Sequence, residues 1–151
     1  MFWLMLSKPG CEMTVEKDKY ILLADDDMED QEILKEAILS VHPEMTIQCV
    51  WNGQEALNYL AGCPSGDLPS LIVLDYKMPV LNAVDVLSQI GDHPLYKSIP
   101  KVVWSTSRQP EHIRLCMDNG ADRYFSKPVS QAELDQLVRQ LFEIRGGATR
   151  H

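Results

Sequence analysis

The chain has 151 residues, 45% of them apolar, which suits one domain with a full hydrophobic core. The formal net charge is −8, and lysine and arginine are neither clustered nor in excess, which argues against a nucleic-acid partner or an anionic membrane. The four cysteines are scattered without a C-x-x-C pair, so the sequence favours a reducing cytoplasm over a disulfide or metal framework.

The chain divides into a short extension, one domain and a tail. Residues 1–19 begin with MFWLML, which is too short to span a membrane, and we expect them to form an N-terminal extension. Residues 20–145 alternate between strand and helix patterns and form the predicted domain, and residues 146–151 form the C-terminal tail.

The first half of the domain predicts three strands, with a helix after each. Strands are expected at residues 20–24, 46–51 and 71–74. The first helix has an apolar stripe at helical spacing, formed by Ile33, Leu34, Ala37, Ile38 and Val41. The second helix begins at Asn52, with Glu55 three residues later, as in a capping box. The third carries Val84, Leu87 and Ile90.

The second half predicts two more strand–helix units. Strands are expected at residues 102–104 and 123–125. Pro110 suits the first turn of the fourth helix, and Asn119 with Gly120 suits its end. The last helix follows a capping box made by Ser130 and Glu133. It carries an apolar stripe: Leu134, Leu137, Val138, Leu141 and Phe142.

Five successive strand–helix units predict an α/β fold with a doubly wound, five-stranded parallel sheet and helices on both faces. The first, third and fourth strands are continuous apolar runs, as expected for strands covered on both faces. The second and fifth strands are mixed or short, which is typical of edges. These differences predict the flavodoxin-like strand order 2-1-3-4-5.

Polar residues follow four of the five predicted strands. Ligands of open parallel sheets bind beyond the carboxyl ends of the strands, so these residues are expected to meet at one rim. They are Asp25, Asp26 and Asp27 after the first strand, Asp75 after the third, Ser105 and Thr106 after the fourth, and Ser126 and Lys127 after the fifth. Singly, an aspartate here is typical of a helix cap, and Asp27 and Glu29 fit that role.

The combination at this rim predicts phosphoryl chemistry. Crowded carboxylates repel one another unless a cation lies between them, and Mg²⁺ suits a few carboxylates with waters and a phosphate. Lys127 adds a fixed positive charge and Ser105 a hydroxyl donor. The four histidines, His42, His93, His112 and His151, are expected to lie away from this rim, so a histidine donor must come from another protein.

With these residues in place, the sequence resembles the receiver domain of two-component response regulators, in its stand-alone form. The matching stretches are ILLADDD, LIVLDYKMP, VVWSTS and YFSKP, and they occur in the family's order between about residue 20 and residue 145.

The resemblance implies a role for each matching residue. Asp75 would be the phosphoacceptor, and Lys127 and Ser105 would assist the transfer. Asp25 and Asp26 would hold Mg²⁺ together with Asp75 and the backbone carbonyl of Lys77. Ser105 and Tyr124 would be the switch residues, the Lys77 side chain could tune the rate of water attack, and the bond from Lys127 to Pro128 is of the kind that is cis in this family.

The resemblance also implies how the domain acts. It would not act as an enzyme on a separate substrate, but would catalyse its own phosphorylation from a sensor histidine kinase or a histidine phosphotransfer protein and later its own dephosphorylation. Phosphorylation would change the surface of helix 4, strand 5 and helix 5, and so the binding of a downstream protein. The expected state is a monomer or a phosphorylation-dependent dimer in the cytoplasm, without direct nucleic-acid or membrane contact.

One departure and two alternatives remain open at the level of sequence. Where the family commonly has Asp-Gly after the conserved proline, this chain has Asn82-Ala83, which predicts a loop of different shape and leaves its effect on Mg²⁺ affinity open. A haloacid-dehalogenase-type phosphatase would need Thr or Val where Glu29 stands, and would leave Asp75 unexplained. A degenerate receiver would only dock to its partners, without phosphorylation.

Overall fold

The computed structural model describes residues 20–146. The predicted extension at residues 1–19 and most of the predicted tail lie outside the described residues. Five strands alternate with five helices along the chain. In order, the elements are β1 (Ile21–Ala24), α1 (Met28–Val41), β2 (Ile47–Val50), α2 (Gly53–Ala61), a 3₁₀ turn (Ser65–Asp67), β3 (Leu71–Asp75), α3 (Ala83–Ile90), β4 (Lys101–Ser105), α4 (Pro110–Asp118), β5 (Arg123–Ser126) and α5 (Gln131–Arg145).

The strands form one parallel sheet in the order β2-β1-β3-β4-β5, which confirms the predicted order 2-1-3-4-5. Every neighbouring pair of strands runs parallel. The three central strands are buried along their whole length, whereas β2 and β5 are partly exposed. The apolar strands therefore lie in the middle of the sheet because only there do helices cover both faces.

Two hydrophobic clusters cover the faces of the sheet. On one face, Leu22, Leu74 and Val103 pack among residues of α2, α3 and α4. On the other face, Ile21, Val73 and Trp104 pack among residues of α1 and α5. Successive strand residues thus point to opposite clusters, as the period of two in a β-strand requires.

Side-chain caps begin four of the five helices. Asp27, Asn52, Asn82 and Ser130 each accept a hydrogen bond from a backbone N–H in the first turn of the helix that follows. Pro110 occupies the first turn of α4, as predicted, where its missing N–H is not needed. Gly120 ends the same helix with φ of 110°, a conformation that favours glycine.

The first helix differs from its predicted stripe. Leu34 and Ile38 are buried as expected, but Ile33 and Val41 are largely exposed, and Gln31 takes a buried place instead. The Gln31 side-chain amide donates 2.8 Å hydrogen bonds to the carbonyls of Asp25 and Val50. A polar side chain is accepted there because both of its amide hydrogens bind backbone oxygens at the ends of β1 and β2.

The described residues contain no helix of sufficient length and apolar character to cross a bilayer.

Candidate functional site

Four strand ends bring the predicted polar residues to one rim of the sheet. Asp25 follows β1, Asp75 ends β3, Ser105 ends β4, and Lys127 follows β5. Ser105 and Ser126 are register partners, and the Lys127 backbone N–H donates a 2.7 Å hydrogen bond to the Ser105 carbonyl. The fold therefore places a lysine that follows the edge strand β5 beside acids at the ends of two of the three central strands, β1 and β3.

The Lys127 ammonium lies among three carboxylates. Its nitrogen is 3.0 Å from an oxygen of Asp25, 3.3 Å from an oxygen of Asp75 and 2.7 Å from an oxygen of Asp30. The Lys127 side chain is only 11% exposed. Desolvation by burial lowers the pKa of Lys127, but the hydrogen bonds that it donates to Asp30 and Asp25 outweigh this effect, so the net pKa is raised and the group stays charged.

The two buried acids have abnormal proton affinities. The pKa of Asp75 is raised to about 7, chiefly by burial and further by the charge of Asp25, while Lys127 opposes the rise. Burial also raises the pKa of Asp25, against hydrogen bonds from the Asp27 backbone and Lys127. Two carboxylates share one low-dielectric space and one ammonium, so their joint ionisation is costly.

Three acids at this rim could hold a metal ion. Asp25, Asp26 and Asp75 each offer one carboxylate oxygen, and these oxygens all lie within 4.8 Å of one another. Asp25 and Asp75 are buried and Asp26 is exposed, so the cluster opens to solvent on one side. A set made only of carboxylate oxygens fits a hard cation such as Mg²⁺, which keeps several waters beside one or two carboxylates.

The loop after β3 takes its shape from a residue the sequence analysis did not single out. Val80 has φ of 70°, and the Leu81 backbone N–H donates to the Pro79 carbonyl, which is a three-residue turn. A β-branched residue at positive φ is strained, and such strain collects at functional loops. The same loop contains Lys77, which is exposed two residues after Asp75.

Asn82 and Ala83, which depart from the family pattern, both have backbone conformations outside the positive-φ region. Asn82 has φ of −87° and caps α3 in a reciprocal capping box with Asp85. Ala83 is the first residue of that helix and is fully buried. Neither position requires glycine, because the positive φ falls at Val80 instead.

Ser105 and Tyr124 are joined through the loop between β4 and α4. Ser105 is 2% exposed, and its hydroxyl accepts a 2.9 Å hydrogen bond from the Ser107 N–H. The Tyr124 hydroxyl donates a 2.9 Å hydrogen bond to the carbonyl of the same Ser107. A change at Ser105 can therefore reach Tyr124 through one residue.

One expectation about the histidines was wrong. His112 lies near the rim, because its Nδ1 is 2.6 Å from the Ser107 hydroxyl and its ring stacks on Tyr76 with 4.4 Å between centroids. Tyr76 directly follows Asp75, so the ring links α4 to the strand that carries the acid. Sequence position gave no signal for this contact, since it depends on how the first turn of α4 packs.

The structure also corrects the expected Lys127–Pro128 bond. No cis peptide bond occurs in residues 20–146, so this bond is trans. A proline imide accepts either isomer at a cost of about 1 kcal/mol, so the sequence alone does not decide between them.

Asp30 and Gln31 are the site residues that the sequence analysis missed. Both lie in the first turn of α1, where the helix begins at the same rim as the carboxyl end of β1. An acidic residue in the first turn of a helix is ordinarily explained by its favourable interaction with the helix N-terminus. The available signal was the position of Asp30 in the first turn of a helix that begins at the predicted rim.

Comparison with known proteins identifies the family to which the sequence is similar. The sequence model of the response regulator receiver domain matches residues 21–139. The two-component response regulator ORR12 of Oryza sativa is 30% identical over 122 residues, which are 81% of this chain and 97% of that protein. The chain spans only 57% of ORR7 of the same species and 65% of ARR8 of Arabidopsis thaliana, both 27% identical.

Solved structures agree in fold. The crystal structure of the phosphorylated cyanobacterial phytochrome response regulator RcpA superposes with a TM-score of 0.76 at 29% identity, over 87% of this chain and 96% of that chain. A receiver domain from Rhodospirillum rubrum gives a TM-score of 0.72 at 28% identity, over 83% of this chain and 94% of that one. With a family match over most of its length, this chain belongs to the response regulator receiver domains of two-component signalling.

Proposed function

We propose that this domain accepts a phosphoryl group on Asp75 and thereby switches the binding of a partner protein. One observation carries the proposal: the buried Asp75 carboxylate lies 3.3 Å from the Lys127 ammonium, within a cluster of acids able to hold a cation. The solved RcpA structure, 29% identical, is itself of a phosphorylated response regulator. The donor is a phosphohistidine on a sensor kinase or a phosphotransfer protein.

Transfer of the phosphoryl group forms one bond to phosphorus and breaks another. An Asp75 carboxylate oxygen forms a bond to phosphorus, the bond between phosphorus and the donor nitrogen breaks, and the imidazole keeps the electron pair and takes a proton. Lys127 offsets charge on the phosphoryl oxygens from a fixed position. A magnesium ion would be held by Asp25, Asp26, Asp75 and the Lys77 carbonyl, and would supply further charge neutralisation when bound.

The switch uses the chain's own hydrogen bonds. We assign the Ser105 hydroxyl as a donor to a phosphoryl oxygen, while its present bond from the Ser107 N–H fixes the loop before α4. Movement of Ser105 would shift Ser107 and so the partner of the Tyr124 hydroxyl. The surface formed by α4, β5 and α5 would then differ between the two states, as a population shift requires.

The test is phosphorylation by a small acyl-phosphate donor. Incubation with acetyl phosphate and Mg²⁺ is expected to add one labile phosphoryl group, seen by intact-protein mass spectrometry. Asp75→Asn should abolish the label, because the amide cannot form the acyl phosphate, whereas Asp92→Asn at an exposed loop position should keep it. Undiminished label in Asp75→Asn would refute the assignment, and no label on the wild type would favour a domain that only docks.

A further inference from the structure

We propose that Asp30 is a positioning residue that holds the Lys127 ammonium over Asp75 during phosphoryl transfer. The inference rests on the proposed function of Asp75 and Lys127. It concerns an acid outside the matched sequence stretches, one that takes no part in the cluster able to bind a cation. Asp30 nevertheless makes the shortest contact to the lysine, at 2.7 Å.

The ammonium has three N–H donors and three carboxylate partners. The distances to Asp25, Asp30 and Asp75 are 3.0, 2.7 and 3.3 Å. Because the lysine side chain is only 11% exposed, water can replace a lost partner only in part. Each carboxylate therefore matters for where the nitrogen stays.

The three carboxylates divide into two groups by chemistry. Asp25 and Asp75 belong to the acids that can hold a cation, and their oxygens are less available to Lys127 when they coordinate one. A phosphoryl group on Asp75 removes that contact as well. Asp30 is the remaining partner of the three, so it keeps the ammonium near the reacting oxygen at the stage when its position matters most.

Asp30 is itself held in place by local structure. Its backbone N–H donates a 3.0 Å hydrogen bond to the Asp27 side chain, which caps α1. The Asp27 N–H in turn donates a 2.9 Å hydrogen bond to Asp25. The first turn of α1 is thus tied to the acid site by two successive bonds, and a carboxylate there is favoured by the helix N-terminus.

An aromatic ring forms a second support for the lysine. The Lys127 nitrogen lies 4.9 Å from the centroid of the Trp104 ring, which is buried in β4. A cation over an indole face is attracted to the ring. Trp104 lies in β4 and Asp30 in α1, and neither belongs to the cluster that can hold a cation. Both can therefore contact Lys127 while a cation is bound.

The test separates positioning of the lysine from binding of the metal. Asp30→Asn is compared with Glu29→Gln, which removes the same charge from an exposed neighbour in the same helical turn. With Mg²⁺ present, Asp30→Asn is expected to lower the affinity for beryllofluoride, a phosphoryl mimic, about tenfold, because a charge-assisted hydrogen bond is lost. Mg²⁺ affinity alone should fall by a similar small factor in both variants.

A spectroscopic readout follows the lysine directly. In a Trp3→Phe, Trp51→Phe background, Trp104 is the only tryptophan. With Mg²⁺ bound, when Asp25 and Asp75 are less available to Lys127, its emission should change in Asp30→Asn, because the ammonium moves away from the ring, and should be unchanged in Glu29→Gln. Asp30→Glu keeps a carboxylate and should restore both the emission and the beryllofluoride affinity; it also serves if Asp30→Asn fails to fold.

Two outcomes overturn the inference. If Asp30→Asn and Glu29→Gln bind beryllofluoride equally, the contact has no positioning role. If Asp30→Asn binds it more tightly, Asp30 competes with the phosphoryl group for Lys127. Failure of the proposed function looks different, since the wild type would then bind no beryllofluoride and take no label on Asp75.

Discussion

Asp75 combines burial, a neighbouring carboxylate and one shared ammonium. Its pKa, raised from 3.8 to about 7 without bound metal, means that the folded chain holds a proton that the unfolded chain releases. Stability from this proton is fully present below pH 3.8 and is lost as the pH rises through about 7. Ionised Asp75 therefore lowers the unfolding free energy of the metal-free protein at neutral and higher pH.

A comparison with Asp75→Asn measures this cost, because the amide does not ionise. In chelator-containing buffer, the gain in unfolding free energy of Asp75→Asn over wild type should grow by about 2 kcal/mol between about pH 5 and about pH 8. Urea denaturation at several pH values gives the difference directly. A difference independent of pH would mean that Asp75 titrates normally in the folded chain.

The strand-end residues were predictable and the helix-borne ones were not. Asp25, Asp75, Ser105 and Lys127 each end or directly follow a strand, so the parallel topology alone places them at one rim. Asp30 and His112 reach the same region from the first turns of α1 and α4. Their positions depend on how each helix packs on the sheet, which hydrophobic spacing does not specify.

At the scale of elements, amino-acid composition predicted the order of the strands in the sheet better than it predicted which residues of a helix are buried. The continuous apolar sequences of β1, β3 and β4 predicted that these strands lie at the centre of the sheet. The strands of mixed composition, β2 and β5, lie at its edges, as predicted. In α1, however, helical spacing included Ile33 and Val41, which are exposed. Apolar periodicity does not show how much of a stripe its neighbour covers.

The contact between α2 and the loop after β3 depends on one glycine. A Cβ at Gly53, the first residue of α2, would lie 2.8 Å from both the Leu81 Cβ and the Val86 Cγ2. Those atoms belong to the end of the strained turn and to α3, so neither yields easily. A side chain here would push α2 away from the loop that follows Asp75.

Gly53→Ala should therefore lower the unfolding free energy by about 2 kcal/mol, since the overpacking exceeds the helix propensity that alanine gains. Gly66→Ala is the matched control, because a Cβ there meets nothing within 4 Å. Denaturant titration of both variants checks the expectation. Equal stability of the two would show that the loop can move aside at little cost.

At the scale of the whole molecule, the crowded carboxylates that destabilise the metal-free fold lie at one rim of the sheet, and the hydrophobic core lies on its two faces. The hydrophobic clusters on the two faces contain no member of the acid cluster. The crowded carboxylates Asp25 and Asp75 lie where the sheet opens to solvent, and Lys127 compensates them only in part. A cation bound there stabilises the folded chain through linkage, because the unfolded chain has no such cluster.

Mg²⁺ should accordingly raise the thermal midpoint of the wild type in a concentration-dependent way. At about a hundred times the dissociation constant, the linked stabilisation is about 2.7 kcal/mol. Asp26→Asn removes the exposed member of the cluster and should shift the response to higher Mg²⁺, with little change in the metal-free midpoint because Asp26 lies at the surface. Asp67→Asn, an exposed acid of the 3₁₀ turn, should respond like the wild type. An equal response of wild type and Asp26→Asn would place the cation elsewhere.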